Sequence, residues 1–169
     1  RPPQPNLSNV PSARLIEFLG HPNAWWREIA ARLILERQDK SIAAALRPMA
    51  FSNEPPLGRS HALWLLESLG ISPVLEDVGT FRDPNPRVLE QAISITEPYV
   101  NRSTSLTDDI AKLRLHRDAR VRFRAVLATP LLPSTPAHRA DEWEQYAMLI
   151  AAGELGGTVL SSALENPTD

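Results

Sequence analysis

Cysteine is absent from all 169 residues. That removes disulfides, thiolate metal ligands, cysteine nucleophiles and Cys-x-x-Cys-His haem attachment from the chemistry open to this chain. No apolar stretch approaches the roughly 18–20 residues that a membrane-spanning helix needs, so direct membrane insertion is not expected. Charge of one sign is not in excess: the formal net charge is −2, and no global field favours nucleic acid or an anionic membrane as partner. Aromatics are few and sustained apolar–polar alternation is missing, so no strand pattern competes with a helical one. Catalytic signatures are lacking too. There is no Gly-rich phosphate loop, no G-x-S-x-G elbow and no H-E-x-x-H. The glycines at Gly153, Gly156 and Gly157 follow no strand that would make them a nucleotide loop.

What the chain has in abundance is proline, sixteen in all. Most fall at expected joints: Pro22, Pro55, Pro56, Pro73, Pro84, Pro86, Pro130, Pro133 and Pro136. Proline fits the first turn of a helix and ends one elsewhere, so the pattern marks boundaries. Pro48 and Pro98 lie inside helical stretches and are expected to end or kink them early.

Between those boundaries one motif recurs. A polar or proline-bearing turn leads into an apolar helix that carries an alanine at a fixed place: Ala30, Ala62, Ala92 and Ala125, at intervals of 32, 30 and 33 residues. Two helical stretches per unit at this interval predict an all-α fold, an α-solenoid of about five helix pairs. The expected pairs are 12–19 with 25–36, 40–50 with 57–69, 73–81 with 87–97, and 106–115 with 119–128. A helix over 137–152 and a short last one ending near Leu164 follow. The alanines are expected where neighbouring helices approach most closely, and the column Leu33, Leu65, Ile95, Ala128 is expected in the core. Residues 1–11 read as a linker, 12–165 as the solenoid and 166–169 as a tail. Without an obvious capping repeat, the whole reads as a segment of a longer protein.

Candidate chemistry is sparse. Trp25-Trp26-Arg27 opens a helix, and an exposed indole beside a guanidinium could grip a partner, a sugar or a base. Trp26, however, falls on the apolar stripe with Ile29, Ala30, Leu33 and Ile34, where packing is the simpler role. Arginines recur near the starts of the second helices, at Arg27, Arg59, Arg87, Arg120 and Arg122. They would suit an acidic partner, but Asp83 and Asp118 sit in the preceding turns, and an Asp–Arg ladder between repeats is the preferred reading. Of the four histidines, none lies at metal-ligand spacing from another. His21 and His116 share a repeat column with Asp83, which suggests a turn role. His61, beside Trp64, reads as a packing residue. Converging acid–base groups are not found, so the segment is expected to be non-catalytic, with no cofactor or metal of its own. Trp25, Arg27, Arg59, His61 and Arg87 form the candidate docking ridge for a partner.

The strings Asp83-Pro84-Asn85-Pro86-Arg87-Val88 and Arg117-Asp118-Ala119-Arg120-Val121-Arg122 resemble HEAT repeats. His21-Pro22-Asn23-Ala24-Trp25-Trp26-Arg27 with Ala30 and Arg32-Leu33, and Arg59-Ser60-His61-Ala62-Leu63-Trp64 with Leu66-Glu67-Ser68-Leu69-Gly70, are more specific. Over roughly residues 12–129 the chain resembles the membrane-bound dehydrogenase family of planctomycetes and verrucomicrobia. The resemblance implies an exported parent, periplasmic or in the cell envelope, with a sugar-dehydrogenase-like propeller before this segment and a haem c domain after it. The helical segment would then be a scaffold whose partners are other domains of the same parent or another protein. HEAT-like alkylpurine DNA glycosylases and phycobilin lyases are the enzymatic alternatives. For the first, Trp25, Trp26 and Asp83 would have to converge on a lesion.

Overall fold

A computed structural model describes residues 6–52, 55–71, 80–129 and 146–150. All of its regular structure is helical, with no strand among the described residues. The chain divides into two compact units, Arg1–Ile95 and Thr96–Asp169, each of which is described by itself.

The first unit opens with α1 (Ser12–Leu15), extended by a 3₁₀ turn, Ile16–Phe18, and then α2 (Ala24–Arg37). Asn23 caps α2 by accepting the Trp25 N–H, satisfying a backbone donor that the first helical turn cannot. Next come the 3₁₀ turn Lys40–Ile42, α3 (Ala43–Ala50) and α4 (Pro56–Ser68). α1 packs on α2, α3 on α4, and α2 on α4. After the 3₁₀ turn Thr80–Arg82, α5 (Pro86–Thr96) carries the chain to the end of the unit. The helix expected over 73–81 lies mostly outside the described residues.

α4 ends in a Schellman arrangement: Ile71 N–H donates to the Leu66 carbonyl and Gly70 N–H to that of Glu67, both at 2.8 Å. Gly70 has φ +67°, the left-handed conformation that glycine adopts without steric cost. Gly58, near the start of α4, matters for a different reason. A Cβ there would sit 2.7 Å from Met49 Cε and 3.2 Å from Gly20 Cα, so its missing side chain allows the close approach of α3 and the Gly20 turn.

In the second unit a 3₁₀ stretch, Glu97–Arg102, leads to α6 (Thr104–Lys112), the 3₁₀ turn Leu113–Leu115, and α7 (Ala119–Ala128). Ser103 and Asp118 cap α6 and α7, and α6 packs on α7. Residues 146–150 are helical. The rest of the stretch expected over 137–152, and the last short helix, lie outside the described residues. No helix among the described residues is long and apolar enough to cross a membrane.

The two awkward prolines behave differently. At Pro98 the α-helix has already given way to 3₁₀ geometry. Pro48 does not stop its helix, which runs on to Ala50. Only one backbone bond is forfeited there, and burial of Leu46, Met49 and Ala50 holds the last turn in place.

The four repeat alanines are each 0% exposed. Leu65, Ile95 and Ala128 are buried with them, whereas Leu33 and Ile29, placed on the same stripe by the sequence, are only half-buried.

Candidate functional site

Three helix-start turns share one hydrogen-bond relay. In the first, His21 Nδ1 accepts the Asn23 N–H at 3.1 Å and Asn23 Oδ1 accepts the Trp25 N–H at 2.9 Å. Arg27 then folds back, its Nη1 donating to the carbonyls of His21 at 2.6 Å and Pro22 at 2.9 Å. The turn before α7 repeats this bond for bond. His116 Nδ1 accepts the Asp118 N–H, Asp118 Oδ1 accepts the Arg120 N–H, and Arg122 Nη1 donates to the carbonyls of His116 and Arg117. An accepting Nδ1 places the proton of the neutral ring on Nε2. The histidines are therefore turn-formers, as their column suggested.

The third turn, before α5, substitutes an aspartate. Asp83 Oδ1 accepts the Asn85 N–H at 2.8 Å, and Asn85 Oδ1 accepts the Arg87 N–H at 2.9 Å. The column that holds Arg27 and Arg122 is here Leu89, which cannot fold back onto the turn. Arg59 of α4 engages the turn instead: Nε meets Asp83 Oδ2 at 2.7 Å and Nη2 meets Oδ1 at 2.8 Å. The two side chains are 8% and 9% exposed. This is one rung of the expected Asp–Arg ladder, made bidentately as arginine's planar fork allows.

The docking ridge therefore needs correction, residue by residue. Arg59 is buried and bound to Asp83, so it presents no charge to a partner. Arg27 is partly buried, with Nη1 held on two backbone carbonyls. Arg87 is exposed and pairs with Glu90 at 3.3 Å, a surface interaction of little energetic weight. Trp25 is exposed and meets Trp26 edge-on. Trp26 stacks on Phe18 with ring centres 5.2 Å apart, which is the packing role its stripe position implied. Nor do Trp25, Trp26 and Asp83 form a free lesion-holding trio: the Asp83 carboxylate is taken up by Arg59 and the Asn85 N–H, and Trp26 by Phe18.

His61 leads elsewhere. It lines a groove of about 410 Å³ with Glu28, Ala31, Arg32 and Leu35 of α2, Leu57, Ser60 and Trp64 of α4, and Gln91 of α5. Trp64 and Leu57 are 40% and 50% exposed, unusual for side chains of their size. Burial pushes the His61 pKa below its ordinary value, and Arg27 adds to this while Glu28 opposes it. Sequence reasoning noticed Trp64 only as a neighbour of His61 and missed Leu57 and Leu35.

The His61 shift has a testable consequence. The folded chain holds this proton less tightly than the unfolded chain does, so stability rises with pH across the interval between the two pKa values. The contribution is complete above the unfolded value, 6.5 for ordinary histidine, and is lost as pH falls through the depressed folded value. Melting temperature should therefore fall as pH is lowered from above 6.5 to below it, and His61→Gln should flatten that fall. An identical slope in the variant would assign the acid sensitivity to other groups.

Among the described residues, no group of three or more His, Asp or Glu converges as a metal site. Comparison of the chain with protein-family models, with curated proteins and with solved structures finds no match.

Proposed function

We propose that this chain is a non-catalytic HEAT-repeat scaffold, a solenoid of helix pairs that serves as an interaction segment of a larger exported, haem-binding dehydrogenase-like protein. The observation that carries the repeat reading is the relay found at three turns, with His21, Asp83 and His116 in one column and Asn23, Asn85 and Asp118 in the next. Packing of sequence-adjacent helices, α1 with α2, α3 with α4 and α6 with α7, supports it, as does the equal burial of the four alanines. Such units stack through their neighbours and leave long surfaces for partners.

The non-catalytic reading rests on where the titratable groups are engaged. Asp83, Asp118, Arg27, Arg59 and Arg122 are engaged at the helix-start turns, and among the described residues no carboxylate or hydroxyl is hydrogen-bonded to His61 to form a catalytic pair. The strings His21–Arg27 and Arg59–Trp64 support the parent assignment. In that parent, a propeller and a haem c domain would adjoin this segment, place it in the periplasm or cell envelope, and serve as its partners. The chain itself would hold no cofactor.

The test is association. Titrating the 169-residue chain with the adjoining propeller and cytochrome domains should give saturable binding by calorimetry. It should give no release of alkylated bases from duplex DNA, and negligible duplex binding at moderate salt. Base excision that disappears in both Trp25→Ala and Asp83→Asn would replace this reading with a glycosylase. Absence of any domain association would remove the scaffold role.

A further inference from the structure

We infer that residues 6–11 are a latched strap, fastened to the first unit by Arg37 of α2 and by burial of Leu7, so that chain joined ahead of residue 6 leaves the unit in a fixed direction. This rests on the interaction-segment reading and adds how an adjoining domain would be carried: rigidly, not on a loose tether.

A segment without helix or sheet must satisfy its backbone polar groups one at a time, and it loses conformational entropy at every ordered residue. Residues 6–11 belong to the stretch expected as a linker, yet specific contacts order them. Asn6 Oδ1 accepts the Ser8 N–H at 3.0 Å, and the Leu7 carbonyl accepts the Val10 N–H at 3.0 Å. The Pro11 carbonyl accepts the Arg14 and Leu15 N–H groups at 2.9 and 3.1 Å and so starts α1. The carbonyls of Ser8 and Val10 find their donor far along the chain. Both are held by Arg37.

Arg37 stands in the last turn of α2, 27 residues beyond Val10 and 29 beyond Ser8. Its Nη1 donates to the Val10 carbonyl at 2.6 Å and its Nη2 to the Ser8 carbonyl at 2.8 Å. A longer contact of 3.4 Å runs from Nη1 to the Ser12 hydroxyl. The planar guanidinium fork suits this task, because it grips two carbonyls at once with fixed geometry. Leu7 is the apolar half of the fastening: it is 5% exposed, while Asn6, Ser8 and Asn9 around it are all exposed. One buried side chain pins a segment at a point and leaves it free to pivot. The two Arg37 bonds remove the pivot.

Domains joined by a loose linker move relative to one another by default. With residues 6–11 latched onto α2, none of that freedom comes from them. The strap instead relays the orientation of α2 to whatever precedes it.

The test needs only the 169-residue chain. Backbone nitrogen-15 relaxation should give the amides of residues 7–10 order parameters of about 0.85 in the unmodified chain, and below about 0.6 in Arg37→Gln. Leu7→Ser should release them as well, since one fastening alone does not hold the segment. The amides of α2 are the internal reference and should stay rigid in each variant. Arg32 pairs with Glu36 on the surface of the same helix, so Arg32→Gln removes a charge from α2 without touching the strap and should change nothing.

Strap amides that stay rigid in Arg37→Gln would overturn the inference. So would mobile ones in the unmodified chain, or an equal release by Arg32→Gln. If Arg37→Gln loosens α2 itself, Leu7→Ser decides, because it changes no residue of that helix: a strap still rigid there overturns the inference. The scaffold reading fails on different results, loss of domain association or base excision, so the two failures are separable.

Discussion

Replacing Asp83 by alanine should destabilise the first unit by about 3–5 kcal/mol, read as a lower urea midpoint. Asp83 holds the Arg59 fork at 2.7 and 2.8 Å with both side chains over nine-tenths buried. Taking the carboxylate away removes the bidentate partner of a desolvated guanidinium, a far larger penalty than losing an exposed ion pair. Asp83 also accepts the Asn85 N–H, and two further variants separate these roles. Asp83→Asn keeps a side-chain acceptor for the turn but loses the charge, so it should fall between wild type and alanine. The double replacement Arg59→Met with Asp83→Leu removes both charges together and should recover most of the loss. A cost below about 1 kcal/mol for Asp83→Ala would mean that the pair behaves as a surface one.

Leu65→Ala and Leu33→Ala should differ sharply although both leucines stand three residues after a repeat alanine. Leu65 is 0% exposed, and its truncation removes fully buried methyl groups and leaves a cavity, at a cost of about 2–5 kcal/mol. Leu33 is half-buried, so part of its side chain already faces water and its loss should cost roughly 1 kcal/mol. The comparison is made by chemical denaturation under identical conditions. Equal losses would show that repeat position, rather than burial in this fold, governs the energetics.

That pair shows how far sequence reasoning reached. Periodicity and proline placement located α2, α4, α5 and α7 to within a residue or two at most ends, because 3.6-residue spacing and the stereochemistry of proline are local properties. The role of His21 and His116 as turn residues was legible for the same reason: their partners lie two residues away. How far the helix runs past Pro48 was not legible, because that depends on packing of Leu46, Met49 and Ala50, which local rules do not contain.

The sequence by itself determined the helical class and the spacing of the four buried alanines, which follow from residue spacing along one chain. Only the tertiary structure decided which side chains remain available. Arg27, Arg59 and Arg87 look alike as letters, yet one grips its own turn, one is buried on Asp83 of a different turn, and one faces solvent. Arg59 meets an aspartate 24 residues away, in a turn that has Leu89 rather than an arginine at its own column position. The groove is a still more distant consequence. It exists because α2 packs on α4, bringing Leu35 and Trp64 to one concave face, and packing between helices is set by side-chain volume and close approach in three dimensions rather than by spacing along the chain.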